Sequence, residues 1–538
     1  MANKKNLTVA AAAVAAVLAA AYPASSWYFG TQIEAAHAEV DAKIAALPYL
    51  KLVKHEYERN LFGANEVITI EIPASMFRLP PRPGTPPKAE ATEETASEAK
   101  TEEPAEKAAE AAAQPAPGTT STSPQPAQAD KPAAPQPLRI TIRTAIQHGP
   151  FPGFSTLAAG SAKSVIEFDE PIQKKVLEAF GGKPALDIQT LYDFQGGGRS
   201  TATSPAFKLP LPGQTPDSTA TLSGDGLEMV MEFTKSLEQY TVRGTAPRFE
   251  LAEKDGAHIT LAGLRMESEQ QRMFPDDPLL YKGSQKFSLA EVSVDVGPDE
   301  QGKPRKFGLK ELKYDVQVPA AGEFIDIIAR FGVTGLQIGE DNYGPANYDL
   351  SFKHLNARKL MALNRRVMGL YTKPEAMQDP EQLMQAIAPM KQQFVGVLLD
   401  SPTLSIDRIS FKTNDGEAKV SASVKLNDAK AEDFNNPMML MTKLEAAADL
   451  TLPMPLIATI ASKDAADEGE AQLRKQSVEQ TVAGIAQQGY VTVENGVVKS
   501  SATFKAGQLL VNGKPFNPMA MAAQPTPQEL PPEAPPAK

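Results

Sequence analysis

The chain has 538 residues, with 65 acidic against 54 basic side chains and a net charge of −11. This acidic balance argues against a sequence-independent nucleic-acid binder, which needs a basic face. Cysteine is absent, which excludes disulfides, thiolate metal sites, a cysteine nucleophile and a lipidated N-terminal cysteine. Apolar residues make up 42% of the chain, which is enough to bury a real core.

The N-terminus has the pattern of a membrane anchor. Lys4 and Lys5 precede an uncharged stretch, and the 23 residues 7–29 are long enough to cross roughly 30 Å of hydrocarbon. Aromatic residues close the stretch and acidic residues follow it, which fits insertion with the basic end inside. Residues 1–31 are therefore predicted to be a single-pass anchor. The alternative is a cleaved signal peptide, because residues 19–21 are small enough for cleavage.

Residues 32–78 are predicted to begin the folded body on the far side of the membrane. Ile33, His37, Val40 and Ile44 recur at helical spacing, which predicts a helix that continues the anchor. β-Branched and apolar residues then predict a pair of strands before residue 73.

The tract 79–137 breaks this pattern. It is rich in Pro, Ala and Glu, contains no aromatic residue, and cannot bury enough apolar surface to offset the entropy of ordering. Strand chemistry resumes at residues 138–142, so the tract is predicted to be a disordered insertion between two strands. Such an insertion is tolerable because the cost of loop closure grows slowly with length. The Pro-rich residues 517–538 are predicted to be a disordered tail.

Residues 138–516 are predicted to form the β-rich remainder of the body. Short alternating strands separated by Gly, Pro and Asp fill residues 164–350. Within them the pattern of residues 286–296 returns at 306–316, as two neighbouring strands of one antiparallel sheet would produce. A duplicated unit is the alternative explanation.

Helices are predicted near residues 356–400 and 470–488. The first places Arg358, Arg365 and Arg366 opposite an apolar stripe, so its basic face could lie on anionic lipid or simply in water. Together the elements predict an α+β fold: an N-terminal transmembrane helix and an antiparallel sheet with a few packed helices. Long amphipathic strands could also curl that sheet into a groove with an apolar inner face.

No catalytic residue, cofactor site or metal site is predicted from the sequence. The five histidines form no metal-binding motif, and the glycine-rich residues 196–199 lack the Lys-Ser/Thr pair of a phosphate loop. His148 is the one candidate, because Gly149 and Pro150 follow it in a turn. We expect these three residues to form a structural turn, with a catalytic or binding role for His148 as the alternative.

Five short motifs occur along the chain, at residues 27–34, 57–63, 146–150, 489–491 and 507–515. Their order resembles the YdgA-like family of bacterial envelope proteins, a group of unknown function. The resemblance implies a protein anchored in the inner membrane of a Gram-negative bacterium, with its body in the periplasm, and it supplies no catalytic residues. Asn60 stands where many members have Gly, and the tract 79–137 looks like an addition.

We therefore predict a non-enzymatic envelope protein that binds another envelope protein or assembles with itself, without nucleic acid or cofactor. The alternative is a lipid-binding or lipid-transport protein with an apolar β-groove, and a third hypothesis is a hydrolase of envelope polymers. An apolar groove would favour lipid, an exposed apolar patch on a solid core would favour a partner, and convergent ionisable groups in a cleft would favour catalysis.

Overall fold

The computed structural model describes residues 2–73 and 137–517, apart from residues 46, 48–49, 155, 171, 213–218, 255, 299–301 and 372–379. For residues 2–20 it describes the helical backbone alone. The predicted disordered insertion 79–137 and tail 517–538 lie outside the described residues except for residues 137 and 517, so both remain predictions.

A single helix, α1 (Ala2–Ala45), forms the N-terminal 44 residues. The helix predicted for the start of the body is therefore confirmed, and it is continuous with the predicted anchor. In the part of the chain that the structure describes, no helix is long and apolar enough to cross a membrane. The predicted transmembrane helix thus has no support here, and it stays a prediction.

All 25 described strands belong to one sheet, and every pairing between them is antiparallel. The first half of the sheet contains its longest strands. Three of them exceed the short strands predicted for this region, because Gly244, Gly263 and Gly283 lie inside strands instead of ending them. These strands are β1 (Lys51–Arg59), β2 (Gly63–Ile72), β3 (Leu138–His148), β4 (Gly160–Phe168), β5 (Asp187–Tyr192), β6 (Gly198–Ser204), β7 (Phe207–Pro212), β8 (Thr219–Gly224), β9 (Leu227–Phe233), β10 (Gln239–Glu253), β11 (His258–Phe274), β12 (Asp277–Pro298) and β13 (Pro304–Val318).

The second half of the sheet continues with shorter strands. They are β14 (Ala320–Ala321), β15 (Phe324–Val333), β16 (Gly335–Ile338), β17 (Asp341–Tyr343), β18 (Ala346–Asn356), β19 (Thr403–Thr413), β20 (Gly416–Leu426), β21 (Leu444–Pro453), β22 (Thr492–Glu494), β23 (Val497–Lys505), β24 (Gln508–Val511) and β25 (Lys514–Pro515).

The sheet is close to a meander, since most strands pair with their neighbours in the chain. The main exception is the hairpin β7–β8, which is left out of the chain-order pairing because β6 pairs directly with β9. Strand β10 then pairs with β9 along one half of its length and with β8 along the other half. Among the described strands, β1 pairs with β2 alone and β25 with β24 alone, so the sheet is open. The curled groove suggested by the sequence is therefore not found in these strands.

Two predictions about neighbouring strands are confirmed. The similar segments 286–296 and 306–316 lie in β12 and β13, which pair along their length, with Phe287 opposite Tyr314. The strands on either side of the insertion, β2 and β3, pair up to Ile72 opposite Leu138. The chain therefore leaves and re-enters the sheet at adjacent strand ends.

Seven α-helices lie in the described part of the chain, and the helices predicted near residues 356–400 and 470–488 are among them. Gly489 ends the last helix with a φ of 82°, a conformation that glycine adopts without strain. After α1 the helices are α2 (Ile172–Ala179), α3 (Ala357–Tyr371), α4 (Pro380–Leu398), α5 (Pro437–Lys443), α6 (Met454–Ala461) and α7 (Glu468–Gln488), with 3-10 turns at Pro152–Phe154, Lys235–Leu237 and Ala431–Asn435.

Helices α3 and α4 pack against the ends of strands β12, β15 and β18. Val397 of α4 and Ala357 of α3 pack on the buried side chains of Leu280, Ile325 and Leu355. Two of the three arginines on the basic face of α3 are paired within the protein: the Arg358 guanidinium donates to Asp276, and Arg365 donates to Asp277. These ion pairs favour the interpretation in which α3 covers the sheet over the one in which it binds anionic lipid.

Candidate functional site

Helix α1 lies on one face of strands β1–β5 through a single stripe of residues. Ser26, Gly30, Ile33, His37 and Asp41 follow one another at intervals of three or four, so they share one side of the helix. Ile33 packs in a buried cluster with Ala64, Ile146 and Ala162 of three neighbouring strands. Val40, one of the residues whose spacing predicted the helix, is 39% exposed, whereas the polar Asp41 beside it is buried.

The N-terminal end of this stripe meets the predicted turn. The Ser26 hydroxyl lies 3.0 Å from the Leu61 carbonyl and 3.1 Å from the His148 carbonyl, to which it can donate. A Cβ atom on Gly30 would come within 2.6 Å of Nδ1 of His148. Glycine at this position therefore lets the helix backbone lie directly against the imidazole.

His148 ends β3, and its main chain holds the turn. Its amide donates to the Phe62 carbonyl at 2.8 Å, and the Gly149 amide donates to Ala159 at 2.9 Å. Gly149 has a φ of +111°, which favours glycine, and the Pro150 carbonyl accepts from Ala158 at 3.2 Å. This geometry is compatible with the structural turn expected for His148, Gly149 and Pro150, whose role stays a prediction.

The His148 ring itself is buried and neutral. It is 2% exposed, and among the described residues neither ring nitrogen has a hydrogen-bond partner. Burial lowers the pKa of His148 to about 4, with a smaller contribution from the nearby Arg59 guanidinium. An acid–base pair needs a second group within hydrogen-bond reach, and the described residues place none beside this ring.

A polar cluster lies under the C-terminal half of the docked stripe. His37 contacts Glu66 through Nδ1 at 2.6 Å and the Tyr192 hydroxyl through Nε2 at 2.7 Å. His55 Nε2 lies 3.2 Å from Oε1 of Glu66 and 3.0 Å from Oδ2 of Asp41. We call these residues, together with Tyr57, the polar cluster: His37, Asp41, His55, Tyr57, Glu66 and Tyr192.

The two carboxylates of the polar cluster are almost completely buried. Glu66 is 2% exposed and Asp41 is 6% exposed. Neither Asp41 oxygen accepts a hydrogen bond from any described residue, although His55 is close. Burial raises the pKa of Asp41 above its ordinary value; His55 opposes this shift and Glu66 adds to it. Burial likewise raises the pKa of Tyr57 and Tyr192.

The polar cluster offers ligand atoms for a cation. One atom from each of Asp41, His55 and Glu66 lies within 4.8 Å of the other two. Sequence reasoning missed this group because its members come from α1, β1 and β2, so their spacing matches no local motif. A weak signal was present: Glu66 is a charged residue that alternates in phase with Ala64 and Ile68, on the buried face of its strand.

A second feature lies on the same face of the sheet, beyond α1. Residues that pair directly across antiparallel strands lie on the same face of the sheet. The line of paired residues that begins with Glu66, Thr144 and Ser164 continues across twelve further strands. Tyrosine hydroxyls are the only polar side-chain groups on that continuation. We call this line the apolar row: Ile188, Ala202, Met229, Gly244, Met266, Phe287, Tyr314, Phe331, Tyr348, Ile409, Val420 and Leu450.

The centre of the apolar row is uncovered. Tyr314, Phe331 and Tyr348, adjacent on three strands, are 39%, 41% and 45% exposed. Farther along, the same face forms an apolar trough of about 370 Å³, in which Ala422, Ala446 and other small side chains lie between larger ones. The trough is lined by Leu404, Ile406, Ala422, Ser423, Val424, Ala446, Ala447, Ala448, Ala502, Phe504 and Leu509.

A broad open cleft has a volume of about 1220 Å³. Its walls carry many charged and amide side chains, among them Arg199, Glu232, Glu269 and Lys282. The glycine-rich residues 196–199 lie at its margin in the connection between β5 and β6, where Asp193 accepts hydrogen bonds from the amides of Gln195 and Gly197. These residues form a strand connection, as predicted, rather than a phosphate loop.

Fold and site together define an open, single-sheet protein whose N-terminal helix covers a polar cluster. The chain belongs to a family described as bacterial protein of unknown function (DUF945), whose model matches residues 3–519. This match is consistent with the resemblance to YdgA-like envelope proteins, although the narrower name stays a prediction. No curated protein and no solved structure matches the chain significantly.

Proposed function

We propose that this chain is a membrane-anchored envelope protein that binds the acyl chains of membrane lipids along the apolar row, without catalysis. The observation that carries the proposal is the length of the row: twelve consecutive strands present apolar or aromatic side chains on one face. At a strand spacing of about 4.8 Å, the row is roughly 50 Å long. Exposed apolar surface on this scale usually marks a binding site.

The chemistry of the row favours an acyl chain over a polypeptide segment. Inside the sheet the backbone amides and carbonyls already bond to neighbouring strands, so the face offers few hydrogen-bonding groups to a ligand. An acyl chain needs none, whereas a bound peptide would bury polar backbone groups of its own. A flexible chain can also follow the twist of a large open sheet, which a second rigid sheet would match over fewer strands.

The position of α1 favours a ligand that comes from the membrane. Ile33 packs on Ala64, Ile146 and Ala162, which lie on the same face as the apolar row. Ser26 is fully buried against the sheet, so any membrane-spanning part of α1 lies before it. The uncharged residues before Ser26, 6–25, are helical and, at about 1.5 Å per residue, span roughly 30 Å. An acyl chain that leaves the bilayer beside α1 would meet the start of the row.

Photo-crosslinking in cells tests this proposal with the full chain. A photoreactive phenylalanine analogue placed at Phe331 faces the row, and the same analogue at Arg330, the next residue on the strand, faces the opposite side. We expect a lipid adduct, identified by mass spectrometry after extraction, at position 331 and at most a trace at position 330.

The other products of the crosslinking experiment contradict the proposal. A covalent dimer from position 331, without lipid, would assign the row to a second copy of the chain. An adduct to another protein would assign it to an envelope partner. Equal lipid adducts at positions 330 and 331 would indicate unspecific proximity to the membrane.

A further inference from the structure

We infer that Asp41, His55 and Glu66 form a binding site for one divalent transition-metal ion, for which Zn²⁺ is the best match. The inference is independent of lipid binding, since it concerns the covered end of the sheet. The three side chains come from α1, β1 and β2, so the bound ion joins the N-terminal helix to the first hairpin.

The spacing of the donor atoms suits a small ion. His55 Nε2 lies 3.0 Å from Asp41 Oδ2 and 3.2 Å from Glu66 Oε1. In a tetrahedral site with bonds of about 2.0–2.1 Å, neighbouring donor atoms are about 3.3 Å apart. The two distances from His55 therefore already match a coordination shell, and the Asp41 and Glu66 donor atoms, which lie within 4.8 Å of each other, need only move toward the ion.

Asp41 supplies the independent observation that a ligand is needed. Its carboxylate is 6% exposed, and among the described residues neither oxygen accepts a hydrogen bond. A buried carboxylate without a donor is costly, and structures rarely keep one without an ion, a water or a partner. Its position beside His55 and Glu66 means that a cation bound there contacts all three residues.

The surroundings of Glu66 resemble those of a metal ligand. His37 holds the second oxygen of Glu66 at 2.6 Å, and Tyr192 in turn contacts the other nitrogen of His37 at 2.7 Å. Such outer contacts orient a ligand, and they direct the remaining oxygen, Oε1, toward His55 and the position of the ion. His55 is 31% exposed, which gives an ion access to the site from solvent.

The donor set selects the class of metal. One imidazole nitrogen with two carboxylates suits Zn²⁺ and its neighbours in the transition series, whereas Mg²⁺ and Ca²⁺ prefer oxygen donors alone. A charge of +2 also balances the two buried carboxylates. With three protein ligands, a water or a further donor would complete the coordination.

Zinc binding to the purified full chain tests the inference after chelator treatment and dialysis. We expect one Zn²⁺ per chain by elemental analysis, undisturbed by excess Mg²⁺. D41N and H55Q should lower the affinity by at least roughly 100-fold, and loss of the outer contact in H37F by about 10–100-fold. The matched control is H258Q, because His258 also contacts a carboxylate, Glu250, but lies outside the site and is 51% exposed.

Several outcomes would overturn the site. They are the absence of stoichiometric Zn²⁺ in the unmodified chain, its displacement by Mg²⁺, or full retention in both D41N and H55Q. If a variant does not fold, X-ray absorption of the zinc-loaded unmodified chain decides. One imidazole and oxygen donors at about 2.0–2.1 Å support the site, and a spectrum without imidazole rejects it.

Discussion

One face of the sheet has a part that α1 covers and a part that stays open, and the covered part carries the charged side chains. Under α1 the face carries Glu66, and the helix adds Asp41, yet both carboxylates are buried. Beyond α1 the face is apolar, yet Phe331 and Tyr348 remain open to solvent. Burial alone would favour the opposite arrangement, because covering apolar surface stabilises a fold and covering unpaired charge destabilises it.

This reversal indicates that each part carries a cost that a ligand can offset. A cation at the polar cluster would neutralise its carboxylates, and acyl chains on the apolar row would remove its side chains from water. The hypothesis that the chain is not an enzyme stays a prediction: the polar cluster brings ionisable groups together, but α1 covers them instead of leaving them in an open cleft.

The largest expected effect is a difference in stability between a substitution under α1 and a substitution in the apolar row. Ile146 is 3% exposed beneath Ile33, so I146A should lower the free energy of unfolding by about 2–5 kcal/mol. Phe331 is 41% exposed in the apolar row, so F331A should cost no more than about 1 kcal/mol despite removing a larger side chain. Urea unfolding of both variants measures the difference, and equal losses would show that the row is covered in solution.

The next effect depends on pH and concerns His148, at the joint between α1 and the sheet. Its folded pKa of about 4 lies below the ordinary 6.5, with burial as the main cause and Arg59, Glu34 and His37 as its charged surroundings. As the pH falls, the His148 ring is therefore protonated in the unfolded chain at a higher pH than in the folded protein. Stability from the neutral ring is complete above pH 6.5 and is lost progressively down to pH 4, by at most about 3 kcal/mol.

A His148 variant isolates this contribution from the other titrating groups. The free energies of unfolding of the unmodified chain and H148N should be compared at pH 7.5 and at pH 4.5. We expect the unmodified chain to lose its advantage on acidification. Parallel curves would mean that the ring is solvated in the folded protein, and would remove the pH argument.

How far the sequence predicts this fold depends on the range of the interactions. Local patterns were sufficient for α7, which spans Glu468–Gln488 where the sequence predicts a helix near 470–488. The similarity of residues 286–296 and 306–316 even identified the pairing of β12 with β13, because their ends are close in the chain. The polar insertion also left its flanking strands recognisable.

The candidate sites could not be predicted because they depend on distant positions. Glu66 and Tyr192 meet through His37 only after α1 is placed across five strands. The apolar row needs the register of twelve strands, and a shift of one residue in any of them would turn its side chain to the other face. Alternation shows that a strand has an apolar face, but not which elements, if any, cover it.

The smallest expected effect tests how closely α1 contacts the sheet. In an exposed helix, replacing glycine by alanine stabilises by about 1 kcal/mol, because alanine loses less backbone entropy on folding. A Cβ atom added to Gly484 of α7 would meet no neighbouring atom within 4 Å, so G484A should follow this rule. Gly30 of α1 would bring its new Cβ within 2.6 Å of the His148 ring, so G30A should instead destabilise by about 1–3 kcal/mol.

The two substitutions are expected to change the stability in opposite directions, although both replace glycine by alanine inside a helix. The intrinsic helix preference of alanine therefore cannot account for the difference. Thermal unfolding gives the sign, and limited proteolysis of G30A should show cleavage between α1 and β1 before the sheet itself is cut. The ring of His148 has no hydrogen-bond partner among the described residues to hold it in place, but its main chain is fixed by Phe62 and Ser26. The ring therefore cannot retreat without moving the end of β3. If G30A stabilises the chain as G484A does, α1 does not lie against His148 in solution, and the cover over the polar cluster must be looser than described.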